Sequence, residues 1–147
     1  MLWLESGEVF AVGRVAYSLF PPGDSRLIVP IEIAGIEAFA IVDTGAPYLV
    51  CNLELAERIG VSGFDNIGSA QLRTHRGQIS GGLHRLPLKL IADEGVSVEI
   101  DATALVPDPD QLSWRYAPVF LGFVGCLERV RFAVDPREEK FYFGPCG

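Results

Sequence analysis

The sequence predicts an all-β fold with one or two short helices. Three observations predict it. The 16 Gly and 10 Pro are spread along 147 residues, the punctuation of many short elements. Several runs alternate apolar and polar side chains with the two-residue period of strands. Only one segment carries both a start and a stop signal for a helix. The length fits one domain, residues 1–147, with residues 1–25 as a possible extra N-terminal strand or hairpin.

Taken in order, Val9–Phe20 reads as a strand pair or one bent strand with Gly13 inside it. Pro21-Pro22-Gly23-Asp24 is a turn. Leu27–Ile33 alternates, Ala34-Gly35 supplies a two-residue hairpin turn, and Ile36–Val42 returns. That return is nearly continuously apolar at its end, as in a strand covered on both faces. Asn52 then caps a helix over Leu53–Ile59, with Glu54 and Arg58 as an i,i+4 pair and Gly60 as the stop. Leu83–Ile91 and Val96–Ala104 alternate as strands, and Pro107–Asp110 is a loop. Val119-Phe120-Leu121 is a short buried run closed by Gly122. A second short helix is expected near Val124–Arg129. Val130–Val134 and Lys140–Phe143 are strands joined by a turn at Asp135-Pro136-Arg137-Glu138.

Composition removes several function classes. Apolar residues at 49% and charged residues at 21% exclude a disordered chain. Lys+Arg 12 against Asp+Glu 19 gives a net charge of −7, so sequence-independent nucleic-acid binding is not expected. The most apolar stretch, Ile28–Val42, holds Glu32 and Glu37 and is too short to span a bilayer, so no membrane partner is expected. Glu5 and Glu8 precede any long apolar run, unlike a signal peptide. Cys51, Cys126 and Cys146 are an odd count with no Cys-x-x-Cys spacing, which points to reduced thiols and a cytoplasmic location.

The sharpest chemical feature is Asp43-Thr44-Gly45-Ala46 at the end of the apolar run Phe39–Val42. A carboxylate there, on a tight turn made by Gly45, lies near backbone N–H groups that can hydrogen-bond it and tune its pKa. The tripeptide alone is a weak signal, because such turns are common. Its context is stronger. The segment Ile28–Ile59 (IVPIEIAGIEAFAIVDTGAPYLVCNLELAERI) resembles the retropepsin-like aspartic protease family. The glycine-rich hairpin Leu72–Leu86 looks like that family's mobile flap. Val119–Gly122 (VFLG) looks like the segment that crosses beneath the catalytic loop. Pro47 and Tyr48 depart from the small polar residues of many members, and Phe123-Val124-Gly125 replace the acidic or amide residue that often follows the Leu-Gly.

The resemblance implies a closed β-barrel and an endopeptidase that needs no cofactor. Its chemistry requires two close carboxylates sharing one proton, one as base and one as acid. This chain has one Asp-Thr-Gly and no internal repeat, so a protease would bring two copies of Asp43 together in a symmetric homodimer. Phe141-Tyr142-Phe143 are then expected at the dimer interface. By resemblance, Asp43, Thr44 and Gly45 are the catalytic positions, Thr44 bonding across the two-fold axis. Ala46 keeps the groove shallow, and Gly77, Gln78, Ile79, Ser80 and Gly81 of the flap bind a peptide or protein substrate. The alternative is a catalytically silent binding or assembly domain of the same fold. A third reading, a small β-barrel module with a chance Asp-Thr-Gly, leaves the flap and VFLG unexplained.

Other candidates carry less. His75 and His84 share no metal-ligand spacing with the cysteines, and no metal site is expected. Cys51 has no histidine placed to activate it. Asp108 and Asp110 fall short of a calcium loop. Trp3 and Trp114 read as core or interface residues.

Overall fold

The computed structural model describes residues 1–20, 25–74 and 76–147. The turn expected at Pro21–Asp24, and His75, lie outside the described residues. Fourteen strands, β1 to β14, and one α-helix, α1, occur among the described residues.

The N-terminal segment is neither a pair nor one bent strand. It divides into β1 (Leu2–Trp3), β2 (Val9–Ala11), β3 (Gly13–Ala16) and β4 (Ser18–Phe20). β1 and β2 pair with each other, whereas β3 and β4 join two different sheets. Val15 of β3 is buried in the main core, so this segment is built into the fold.

β5 (Arg26–Ile33) and β6 (Ile36–Val42) form the expected hairpin in full register from Leu27↔Val42 to Ile33↔Ile36. Ala34 and Gly35 both take positive φ, 49° and 84°, the pair of values a type I′ turn demands. After β7 (Leu49–Val50) comes α1 (Leu53–Ile59), with the boundaries its caps predict. Asn52 Oδ1 accepts from the Leu55 N–H at 2.7 Å, and Gly60 ends the helix in the left-handed region. The Arg58–Glu54 pair forms at 3.7 Å.

β8 (Asn66–Thr74) and β9 (Gly77–Leu90) make a long hairpin, and β9 continues into a ten-residue ladder with β11 (Val98–Pro107). The β11 strand starts and ends later than the alternation suggested. Val96 and Ser97 lie in the preceding turn region, where Ser97 Oγ accepts from the Ala92 N–H. β12 (Val119–Leu121) follows. The expected helix at Val124–Arg129 is instead a turn and one 3-10 segment at Leu127–Arg129. The reason is competition for carbonyls. Val124 O accepts from Tyr48 N–H and Gly125 O from Thr103 N–H, so neither is free for a helical ladder, and Gly125 has φ of 66°.

The main sheet runs β4-β5-β6-β12-β7-β11-β9-β8, and β5 also pairs with β9. The hydrogen-bonded circuit β5-β6-β12-β7-β11-β9 therefore returns to its start. A second sheet has the order β10-β3-β14-β13, with β10 (Glu94–Gly95), β13 (Val130–Asp135) and β14 (Lys140–Pro145). The main core fills the space between them with residues such as Ile31, Leu55, Leu88, Ala104 and Leu121. Phe141 and Phe143 are fully buried in it, which corrects their expected place at an interface. β14 has a neighbour on each side, and its alternating Phe side chains face inward against the sheet above.

Candidate active site

The site begins where β6 ends. β12 is inserted between β6 and β7, parallel to the first and antiparallel to the second. Two strands consecutive in sequence are thus held apart by a strand that arrives much later. The loop between them, Asp43–Tyr48, has to pass over the end of β12, and backbone hydrogen bonds fix it there. Asp43 N–H donates to Leu121 O at 3.0 Å, Gly122 N–H to Tyr48 O at 2.8 Å, and Phe123 N–H to Ala46 O at 2.7 Å.

Gly122 is demanded by this crossing. A Cβ there would lie 2.1 Å from Tyr48 O and 2.6 Å from Ala46 O, closer than any real contact. The Leu-Gly of VFLG therefore has a steric explanation independent of any resemblance.

The Asp43 carboxylate sits in the loop with Oδ1 accepting from the Gly45 N–H at 3.0 Å, and Asp43 O accepts from Ala46 N–H at 3.2 Å. Gly45 is not in the left-handed region. Its contribution is size, since a Cβ would stand 3.3 Å from Asp43 Oδ1. The left-handed residue of this loop is Tyr48, with φ of 64°. Sequence reading of a turn made by Gly45 missed that. Thr44 is exposed beside it, and its side chain makes no hydrogen bond among the described residues.

Asp43, Gly45, Ala46 and Pro47 form one wall of a cleft of about 900 Å³. Leu72, Arg73, Thr74 and Arg76 of the β8–β9 hairpin line it too, together with Trp114, Pro118 and Phe120. Ser25 and Arg26 stand at the start of β5. Asp43 is the only acid among the described lining residues.

The hairpin positions nominated from sequence do not line this cleft. Gly77 and Gln78 run back from the tip, and Ile79 is buried in a small second core with Val50, Leu105, Trp114 and Ala117. Ser80 N–H donates to Gln111 Oε1 at 2.9 Å, and Gly81 packs so closely on β11 that a Cβ would overlap Val106 O. Ile79, Ser80 and Gly81 anchor the hairpin, and Leu72, Arg73, Thr74 and Arg76 are its residues that share the cleft with Asp43. The alternation was legible, but which face looked inward depended on the β9–β11 pairing, a long-range fact.

The segment 107–118 supports the hairpin from below. The Trp114 indole N–H donates to Gln78 O at 3.3 Å, and the Arg76 guanidinium lies 5.8 Å from the centre of the Trp114 ring. Trp114 is almost fully buried, as a core reading of it requires. Arg73, Arg76 and Trp114 went unrecognised as cleft residues. The available signal was two arginines flanking the tip of a hairpin in an acidic chain.

The remaining candidates are accounted for. Burial pushes the Cys51 thiol up to about 12, and Cys126 likewise to about 12, so neither is a nucleophile at neutral pH. Cys146 is exposed. His84 sits on β9, and its Nδ1 is buried without a hydrogen-bond partner. Among the described residues no group of three or more His, Cys, Asp or Glu side chains converges as a metal site would need. No helix among them is long and apolar enough to cross a membrane.

No family model matches the chain, and no curated protein sequence matches it. Comparison of folds does find a likeness. A crystal structure of a retropepsin-like aspartic protease from Rickettsia conorii superposes with a TM-score of 0.55, covering 90% of this chain and 90% of that one. The two are 16% identical. That likeness shows that the chain has a retropepsin-like fold.

Proposed function

We propose that the protein is an aspartic endopeptidase whose active site is completed by a second copy of the chain, its paired strands forming a closed barrel. The observation that carries this is the position of Asp43. It is the one carboxylate among the described residues that line the cleft, on a loop clamped by an inserted strand, and hairpin residues line the same cleft. The fold likeness supports the same reading.

The mechanism follows from two such carboxylates brought together on a two-fold axis. Like charges that close cannot both ionise, so one proton is shared. The ionised Asp43 takes a proton from a water molecule, and the water oxygen bonds to the peptide carbonyl carbon. The protonated Asp43 of the other copy donates to the carbonyl oxygen. The tetrahedral intermediate then collapses: the first Asp43 gives its newly gained proton to the nitrogen, the C–N bond breaks, and the other Asp43 takes back a proton from a hydroxyl of the intermediate as the carbonyl re-forms. The products are a carboxylic acid and an amine, and each aspartate returns to its starting role for the next cycle. Gly45 N–H holds the carboxylate plane, Thr44 is placed on the exposed side of the loop to meet its counterpart, and the β8–β9 hairpin acts as the flap over an extended peptide.

The test is cleavage of a mixed peptide library by wild type and Asp43→Asn between acid and neutral pH. The expected result is a loss of at least about 10³-fold in kcat/KM in the variant with folding intact. Equal cleavage by both proteins would remove Asp43 from the mechanism. The silent binding-domain alternative predicts no cleavage by either.

A further inference from the structure

We infer that the cleft selects peptides carrying acidic side chains close to the bond presented to Asp43, a selection that rests on the peptidase reading for its cleavage step but not for its binding step. The observation is where the unpaired cations lie. The chain carries a net charge of −7, and six of its twelve Lys and Arg side chains are tied to its own carboxylates. Arg14 pairs with Glu94, Arg58 with Glu54, Arg85 with Asp101, Lys89 with Glu32, Arg115 with Glu57 and Arg131 with Glu8. Of the six without an ion pair among the described residues, Arg26, Arg73 and Arg76 gather in the cleft, whereas Arg129, Arg137 and Lys140 lie outside it.

Their placement is specific. Arg73 and Arg76 stand on the hairpin side, Arg26 stands at the start of β5, and Asp43 is the one described anion they share the cleft with. Arg76 is held over the Trp114 ring, which fixes the guanidinium without neutralising it. Trp114 is in turn tied to Gln78 of the returning strand. A cationic wall without carboxylate partners in an otherwise acidic molecule draws anionic groups into the concavity. Guanidinium groups suit carboxylates by geometry as well as charge, since they donate two parallel N–H bonds. A peptide lying between the Asp43 loop and the hairpin would place its flanking side chains against these three residues.

Three synthetic peptides test this. They share one apolar centre and differ only in flanking Glu, Gln or Lys. Binding to Asp43→Asn is followed by fluorescence anisotropy, and cleavage by wild type is followed by mass spectrometry. The Glu-flanked peptide is expected to bind and be cut about tenfold better than the Gln-flanked one, with the Lys-flanked one poorest. The preference narrows when salt is raised from about 0.15 M to about 1 M, where the screening length falls to about 3 Å. The double variant Arg73→Glu/Arg76→Glu inverts the order, and Arg137→Glu, in an exposed turn outside the cleft, leaves it unchanged. Equal or undetectable binding of the three peptides, or an order that survives the double variant, overturns the inference. Cleavage of all three at one rate keeps the peptidase reading and sinks the selection. Discrimination in binding without any cleavage does the reverse.

Discussion

Asp43 owes its position to backbone groups around it. Its N–H is taken by Leu121, its carbonyl by Ala46 and one carboxylate oxygen by Gly45. The most sensitive of these supports is Gly122, because three backbone atoms of the loop leave no room for a methyl group. Gly122→Ala is expected to destabilise the protein by at least about 2 kcal/mol in denaturant unfolding, since the overlap is with backbone that can relax only by moving the Asp43 loop. Activity should fall further than stability, because the loop itself is displaced. The cysteines give a second prediction. The folded thiols of Cys51 and Cys126 are held up to about 12 from an ordinary value of 9.0. The unfolded state therefore releases those protons first as pH rises. Their contribution is intact below about pH 9 and is lost progressively towards pH 12, so the unfolding midpoint should drop across that window. At pH 8 a thiol reagent should label Cys146 alone, and all three cysteines after denaturation.

Among the elements, α1 shows what local signals can specify. Asn52, the apolar spacing and Gly60 all lie within nine residues, and the helix forms between the limits they set. Asn52 does more than cap. Its amide also donates to Ala117 O at 2.7 Å, tying the helix to the segment that feeds β12. Asn52→Ala should cost about 2 kcal/mol in thermal or denaturant unfolding, towards the upper end for a lost cap. The segment Val124–Arg129 shows the opposite case. Its local pattern favours a helix, but Tyr48 and Thr103, distant in sequence, claim its carbonyls. The long hairpin falls between these. Its existence was legible from alternation and glycine. The side of it that meets the cleft was not, because that depends on Ile79 turning into a core with Leu105 and Trp114.

At the level of the whole molecule, the Asp43 loop was legible because an apolar run ending in Asp-Thr-Gly is a local pattern. The interface was not. Phe141 and Phe143 look like surface glue in the sequence, yet the one chain buries both, with Phe141 also 6.0 Å from the Phe132 ring. The dimer proposed above would therefore use other surfaces, with the loop carrying Asp43 and Thr44 at its centre. Specific activity should then fall on dilution, and sedimentation should show the chain associating over the same concentration range. A protein that sediments as a monomer at concentrations where it is fully active would exclude the shared site. The threading of β12 between β6 and β7 also bears on timing. During synthesis the Asp43 loop emerges first, and the strand that fixes it arrives about 80 residues later, on the order of ten seconds at typical elongation rates. Until then the aspartate is carried on an unanchored segment, and refolding should show the loop gaining protection only in the last, slow phase. A site assembled this way stays unfinished on the ribosome until β12 has left the exit tunnel.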